Sequence, residues 1–175
     1  KEWNFDQICS KFMNIADILK HPELKWDWKY VSENLSVTMD IVLSNIDKRW
    51  NWRCLSRHPS ITMSDIESHM ELSWYWGTYG VSDNPNLTMT MIEAHPFEQW
   101  DWCGISQHMK LTIDILRQYA DKEWNFDQIS RFNPSITLEL LLAMAFPDEN
   151  WDWEGVSCNK GITMSDIESH MDLPW

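Results

Sequence analysis

The chain has 175 residues, 43% of them apolar, and carries a formal net charge of −13 at pH 7. A nucleic-acid surface needs a basic stripe that releases counterions from phosphates, so this acidic balance argues against nucleic acid as a partner. No apolar run is long enough to cross a bilayer, and no basic-then-apolar leader follows Lys1, so we expect neither a membrane span nor a signal peptide.

The four cysteines are spread along the chain and form no close pair. Their spacing fits neither a disulfide framework nor a zinc site. We therefore expect a reducing, intracellular setting. The four are Cys9, Cys54, Cys103 and Cys158.

A tandem repeat organises the whole chain. Each repeat opens on Trp-x-Trp or Trp-x-Phe, and all thirteen tryptophans lie in this opening motif. The motifs begin near residues 3, 26, 50, 74, 100, 124 and 151, about 24 residues apart, which defines seven repeats. This period predicts a single helical-repeat array over residues 1–175. Because the pattern is under way at the first residue and unfinished at the last, we expect a segment of a longer solenoid.

The first predicted element of each repeat is a short helix. Trp26, Trp28 and Val31 illustrate it, because their spacing places two rings and an aliphatic side chain on one face. A dipeptide such as Asn84-Pro85 then predicts the end of this helix, because asparagine tolerates left-handed backbone and proline cannot continue the hydrogen-bond ladder.

The second predicted element is a helix that begins after a threonine N-cap. Thr62 with Asp65, and Thr163 with Asp166, approximate a capping box. Repeat one has Ala16 in this place and is the exception. The other capping threonines are Thr38, Thr88, Thr112 and Thr137.

Three positions hold aliphatic side chains in all seven repeats and predict a continuous core. In repeat three they are Leu55 in the first helix, Ile61 before the cap and Ile66 in the second helix. Helices this short are marginal alone in water, so the repeats must stack to be stable. We predict an all-α fold, an α-solenoid of about seven 24-residue two-helix repeats, in which the tryptophans pack between neighbours.

Recurring polar residues suggest chemistry, but structural roles explain them better. A catalytic serine is singular and needs a base, whereas the equivalents of Ser56 return in repeat after repeat. His69 and its equivalents are too far apart to share a metal ion, and we assign them, with the turn residues His58 and His108, capping or surface roles. The alternative for the tryptophans, a stacking ladder for bases or sugars, is opposed by the helical spacing and the charge. We expect no catalytic, cofactor or metal site.

Two inserted segments break the pattern. Repeat four carries extra residues after Trp76, and repeat six carries extra residues before Trp151. Insertions in solenoids fall in turns and often mark the binding face. We therefore predict partner contacts at Gly77, Thr78, Tyr79, Gly80, Phe146, Asp148 and Glu149.

The run Trp-Asp-Trp-x-x-Val-Ser-x-Asn-Pro-x-Ile-Thr, nearly whole at 151–163 and at 50–62, resembles the Trp-rich short repeats of uncharacterised proteins encoded by giant DNA viruses of amoebae. The resemblance implies a structural component of a virus particle, in the host cytoplasm or the virion. In spacing, the Val-Ser-x-Asn-Pro-x-x-Thr pattern is also similar to the leucine-rich variant repeat. That similarity implies alternating short helices, one of each pair 3₁₀ in character.

Three functions are open. The first is a non-enzymatic scaffold or protein-protein interaction module, with a protein partner and with end-to-end or lateral self-association as a further option. The second is an acidic decoy that binds basic proteins or mimics nucleic acid, which predicts carboxylates clustered on one face. The third is an enzyme, which requires a repeat that breaks the pattern with convergent polar groups.

Overall fold

The computed structural model describes residues 13–143 and 151–175. All regular secondary structure in those ranges is helical, with twelve α-helices and one 3₁₀ helix, so the predicted all-α class is confirmed. The chain divides into two compact units, Lys1–Gln99 and Trp100–Trp175. The described helices are all too short or too polar to cross a bilayer.

Two short helices alternate from repeat to repeat, as the periodicity predicts. The first helices span Trp28–Val31, Trp52–Ser56, Val81–Asp83, Trp102–His108, Phe126–Phe132 and Trp153–Cys158. The second helices span Ile15–Leu19, Met39–Ser44, Met63–Ser68, Met89–Ala94, Ile113–Gln118, Leu138–Ala143 and Met164–Ser169.

In repeats two, three, five and six, the residue between the two rings of the opening motif caps the first helix through its side chain. The side-chain oxygen of Asn51 accepts a hydrogen bond from the Cys54 amide at 3.3 Å, and that of Asp27 accepts one from the Lys29 amide at 3.0 Å. A short polar side chain here satisfies an amide that the helix itself leaves unpaired. The second ring is therefore the first residue of the helix, and the first ring lies outside it.

The threonine caps of the second helix are confirmed. In repeat three the Thr62 hydroxyl accepts from the Asp65 amide at 3.2 Å, and the Asp65 carboxylate accepts from the Thr62 amide at 2.8 Å, which completes the capping box. In repeat one the helix begins at Ile15 instead, because Asn14 caps it through the Ala16 amide at 2.8 Å.

The three aliphatic positions form the core. All three are buried in every repeat from two to six. In repeat one the early helix start turns Ile18 inward in place of Leu19, which is half-buried. In repeat seven Ile162 and Ile167 are half-buried, because residues 1–175 contain no later repeat to cover them. Burying one such side chain contributes about 1.5 to 3 kcal/mol, so the core is laid down repeat by repeat.

The turn asparagines do not adopt the left-handed backbone that this residue type tolerates. Asn84 has φ −76° and ψ 125°, and Asn133 has φ −68° and ψ 122°, both extended. Among the described non-glycine residues, a positive φ occurs at Tyr79 alone. The asparagine is needed for its side chain, which is buried and bonds to the preceding repeat.

Alternating 3₁₀ helices are not the rule in this chain. Within the described residues a 3₁₀ helix occurs at Val81–Asp83, and the other first helices are α-helical. In repeat four Tyr75 stands where the other repeats have Asp or Asn, and no side chain caps its first helix. The inserted residues 77–80 then delay the start of the helix.

Candidate functional site

The first ring of each opening motif is anchored to the helix before it. The indole N–H of Trp50 donates to the Asn45 carbonyl at 2.8 Å, and that of Trp74 donates to the His69 carbonyl at 2.8 Å. Each acceptor is the C-cap residue of a second helix, whose carbonyl the helix leaves unpaired. The same bond, always across five residues, is made by Trp26, Trp124 and Trp175.

The second ring packs edge-to-face on the first ring of the next repeat. Trp28 and Trp50 have centroids 4.8 Å apart at 77°, and Trp52 and Trp74 are 5.2 Å apart at 88°. Trp102 with Trp124, Phe126 with Trp151 and Trp153 with Trp175 repeat the arrangement. These rings contact one another between repeats, which is the packing that the sequence predicts for them.

A buried serine links the first helix to the next repeat in several repeats. The Ser56 hydroxyl donates to the Trp52 carbonyl at 2.7 Å and accepts from the Tyr75 amide at 2.9 Å. Ser32 makes the equivalent pair of bonds. Ser130 is equally buried, but its hydroxyl has no hydrogen-bond partner in the described part of the chain. The recurring serine is therefore structural, as its repetition predicts.

The turn asparagine links neighbouring repeats in the same way. The Asn84 amide donates to the carbonyls of Ser56 at 2.8 Å and Ile61 at 3.1 Å, and its oxygen accepts from the Asn86 amide at 2.8 Å. Removing such a side chain would leave buried carbonyls unpaired. Equivalent bonds to the preceding repeat are made by Asn34, Asn133 and Asn159.

A surface role for His58 is wrong. His58 is buried, with Nε2 3.1 Å from the Asn34 carbonyl oxygen, where it replaces the asparagine amide. Burial lowers the pKa of His58 below its ordinary value, an effect that the hydrogen bond to Asn34 partly opposes.

His108 does not take the turn position. The first helix of repeat five extends one residue further, so Met109 is buried there and His108 is half-exposed.

The remaining polar residues that the structure describes include a buried thiol, Cys54, and no metal-binding cluster. Over residues 13–143 and 151–175, no three His, Cys, Asp or Glu side chains come together in a way that could bind a metal ion. Cys54 lies 3.3 Å from the Glu33 carboxylate, and burial, then this carboxylate, raises the pKa of the thiol. A raised pKa leaves little thiolate at neutral pH, so Cys54 is a poor nucleophile.

Of the two segments predicted to contact a partner, the structure describes the one in repeat four, residues 77–80. The other contains Phe146, Asp148 and Glu149, which lie outside the described residues. The segment in repeat four forms a tight turn, in which the Gly80 amide donates to the Gly77 carbonyl at 2.9 Å. A Cβ on Gly80 would lie 1.8 Å from the Tyr75 carbonyl oxygen, so only glycine fits at that position.

Tyr79, at the tip of the turn, is strained and exposed. Its φ is 61°, in the left-handed region that costs an L-residue roughly 1 to 2 kcal/mol. The Tyr79 amide donates to the Asp83 carboxylate, which holds this conformation. The side chain is 56% exposed, so the strain does not serve to bury the ring. Thr78 beside it is also exposed.

Arg53 fixes the inserted segment to the helix of repeat three. Its guanidinium donates to the Thr78 carbonyl at 2.9 Å and lies 4.9 Å from the Tyr75 ring centroid and 5.1 Å from that of Tyr79. Arg57 lies 5.9 Å from the Tyr79 ring. The result is a surface of two half-exposed tyrosines and an arginine, which we call the Tyr-Arg platform (Arg53, Tyr75, Tyr79).

The sequence pattern predicts the inserted residues as a contact site but not Arg53 and Tyr75. Tyr75 carried a signal, because it replaces the capping Asp or Asn of the other repeats. Arg53 carried none, since only the folded turn brings the Thr78 carbonyl to its side chain. Tyrosine and arginine are enriched at the centres of protein interfaces, so the platform is suited to contact with a protein.

These features define the class as an all-α chain built from short helices in tandem repeats. Comparisons with protein-family models, with curated proteins and with solved structures give no match to this chain.

Proposed function

We propose that the chain is a non-enzymatic scaffold that binds a protein partner through the Tyr-Arg platform of repeat four. The observation that carries this proposal is the left-handed backbone at Tyr79. A glycine would adopt this φ without strain, and yet the position holds a large side chain that is mostly exposed. Strain retained at an exposed side chain is typical of a functional surface.

The remaining polar and aromatic groups support a structural role for the rest of the array. The tryptophans contact each other, and the serine and asparagine side chains bond to neighbouring backbone. In a regular array of repeats, the residues that depart from the repeat pattern are not needed for packing and are available for binding. The platform is such a departure, and it is anchored on a helix, which preorganises it for a partner.

An acidic decoy is less well supported, because it needs free carboxylates on one face. Many described carboxylates already have local partners: Asp65 completes a capping box, Asp27 caps a helix, and Asp17 and Asp47 pair with neighbouring lysines. The net charge alone favours the decoy. A role as a structural component of a giant-virus particle is supported by the Trp-rich resemblance alone and stays a prediction.

The test separates binding from folding. Immobilised protein is used to capture partners from the native source, and each purified partner is then titrated against wild type and Tyr79→Gly. Glycine relieves the strain, so we expect unchanged or higher thermal stability together with an affinity at least about tenfold weaker. Leu35→Ser, which changes another exposed apolar side chain, is the matched control and should bind as wild type does. Equal affinity of Tyr79→Gly for every captured partner would refute the platform as the contact site.

A further inference from the structure

A basic groove lies beside the opening motifs of repeats two and three. It has a volume of about 700 Å³ and is lined by residues 25–29 and 49–52. Three of the lining residues, Lys25, Lys29 and Arg49, are exposed cations. We call this surface the basic groove (Lys25, Lys29, Arg49). It is distinct from the Tyr-Arg platform, whose residues do not line it.

The positive charge is specific to this part of the array. Lys25 and Arg49 occupy the same repeat position, directly before the first ring. Later repeats place Ser73, Gln99 and Glu123 at that position, so none of those carries a cation. The net charge of −13 is enough to keep the chain soluble. A local cluster of positive charge therefore has to be explained in another way.

Lys29 lies 5.7 Å from the centroid of the Tyr30 ring, and the other two cations of the groove have no ion-pair partner among the described residues. By contrast, Lys20 pairs with Asp17 at 3.0 Å and Lys48 with Asp47 at 2.8 Å. Asp27 is the single carboxylate among the groove residues, and it accepts from the Lys29 amide as a helix cap. The groove therefore keeps a positive balance that can pair with anionic groups of another molecule.

We propose that the basic groove binds a short acidic segment of a partner protein, with its carboxylates on Lys25, Lys29 and Arg49. This inference rests on the scaffold function proposed above. The negative charge of the whole chain repels an acidic partner at long range, but salt screens that repulsion beyond about 8 Å at physiological ionic strength. Close contact with three cations then dominates, which favours a short acidic segment over a long polyanion.

The state of the tryptophans favours a peptide over nucleic acid. Trp26 and Trp50 are 9% and 6% exposed, and both indole N–H groups donate to backbone carbonyls. Single-stranded nucleic acid binds through open aromatic faces on which bases stack, together with a basic path along the backbone. Trp28 and Trp52, which also line the groove, are half-buried and pack edge-to-face on Trp50 and Trp74.

The experiment is a fluorescence-anisotropy titration of the full chain with two labelled probes. One is a glutamate-rich peptide of about ten residues, which reaches roughly 33 Å when extended. The other is a single-stranded DNA oligonucleotide of similar charge. The groove variant is Lys25→Ser with Arg49→Gln, which copies the residues that repeats four and five carry at this position. The control is Lys110→Ser with Lys160→Gln, two exposed lysines outside the groove.

We expect wild type and control to bind the peptide alike, and the groove variant to bind it about tenfold more weakly, because two exposed ion pairs are lost. Binding should also weaken as the salt rises from about 0.1 M to about 1 M, where the Debye length falls from about 10 to about 3 Å. Both changed positions are exposed, so the melting temperature should not move.

Three results would overturn the inference: no binding of the peptide, equal binding by the groove variant, or tighter binding of the oligonucleotide. The scaffold proposal is tested separately. A captured partner that depends on Tyr79 but not on the groove would leave the scaffold in place and remove the groove as a binding site.

Discussion

Trp50→Ala tests whether the first ring of the opening motif joins neighbouring repeats. Trp50 is 6% exposed, packs edge-to-face on Trp28 at 4.8 Å and donates to the Asn45 carbonyl at 2.8 Å. Alanine removes the ring, its aromatic contact and its hydrogen bond in one step. The variant therefore probes every contact through which this ring ties repeat three to repeat two.

The expected loss in free energy of unfolding is about 3 to 5 kcal/mol, the usual range for truncating a buried aromatic residue. Trp50→Phe keeps most of the ring but loses the donor, so we expect about 1 to 2 kcal/mol. Trp28→Phe should cost under about 1 kcal/mol. The reason is that Phe126 already occupies the second-ring position in repeat six, 5.2 Å from Trp151.

Urea unfolding followed by far-ultraviolet circular dichroism measures these changes, and amide exchange around Asn45 reports the local opening. The order should be Trp50→Ala, then Trp50→Phe, then Trp28→Phe. A loss below about 1 kcal/mol for Trp50→Ala would show that these rings do not carry the packing between repeats. Equal losses for the two phenylalanine variants would show that the indole hydrogen bond contributes nothing.

Other consequences of the structure can be measured by the same unfolding assay. Ser56→Ala should cost about 1 to 3 kcal/mol, because it leaves the Tyr75 amide without its acceptor, whereas Ser130→Ala should be neutral or stabilising, since that hydroxyl has no partner. Similar losses for both would contradict the bridging role. The lowered pKa of His58 means that the folded state binds fewer protons than the unfolded chain, so its contribution is present above the ordinary pKa of 6.5 and is lost as the pH falls below it. His58→Asn should therefore lose less stability than wild type between about pH 7 and pH 5, and parallel pH profiles would count against this explanation. Gly80→Ala should cost about 2 to 3 kcal/mol, since its Cβ meets the Tyr75 carbonyl at 1.8 Å, whereas Gly77→Ala, with its nearest atom at 3.3 Å, should change little in a thermal melt.

The sequence was informative wherever structure depends on neighbours along the chain. The threonine caps, the capping box of Thr62 with Asp65 and the aliphatic core follow from local spacing, and the structure confirms them. The edge-to-face packing of the rings was expected only as packing between repeats. Its geometry depends on which ring lies outside the helix, and that follows from the N-cap between the two rings.

The turns were harder to predict because their side chains act across repeats. Asn84 was expected to be chosen for its backbone conformation, but it is extended and bonds to carbonyls more than 20 residues earlier. His58 was expected to have a capping or surface role, but it is buried and contacts the Asn34 carbonyl of the preceding repeat. These contacts join residues that are far apart in the sequence. A short turn has no hydrophobic periodicity from which they could be predicted. The same holds for Arg53, whose partner Thr78 lies 25 residues further on.

A duplicated segment separates what sequence decides from what neighbours decide. Residues 61–70 and 162–171 are identical, and both contain the helix Met-Ser-Asp-Ile-Glu-Ser with the same capping box. The threonine amide bonds to the aspartate carboxylate at 2.8 Å in both copies. Burial differs, however: Ile66 is fully buried and Ile167 is half-buried. Ten residues are thus enough to fix the helix and its cap, whereas the core that stabilises them exists only where another repeat packs against them.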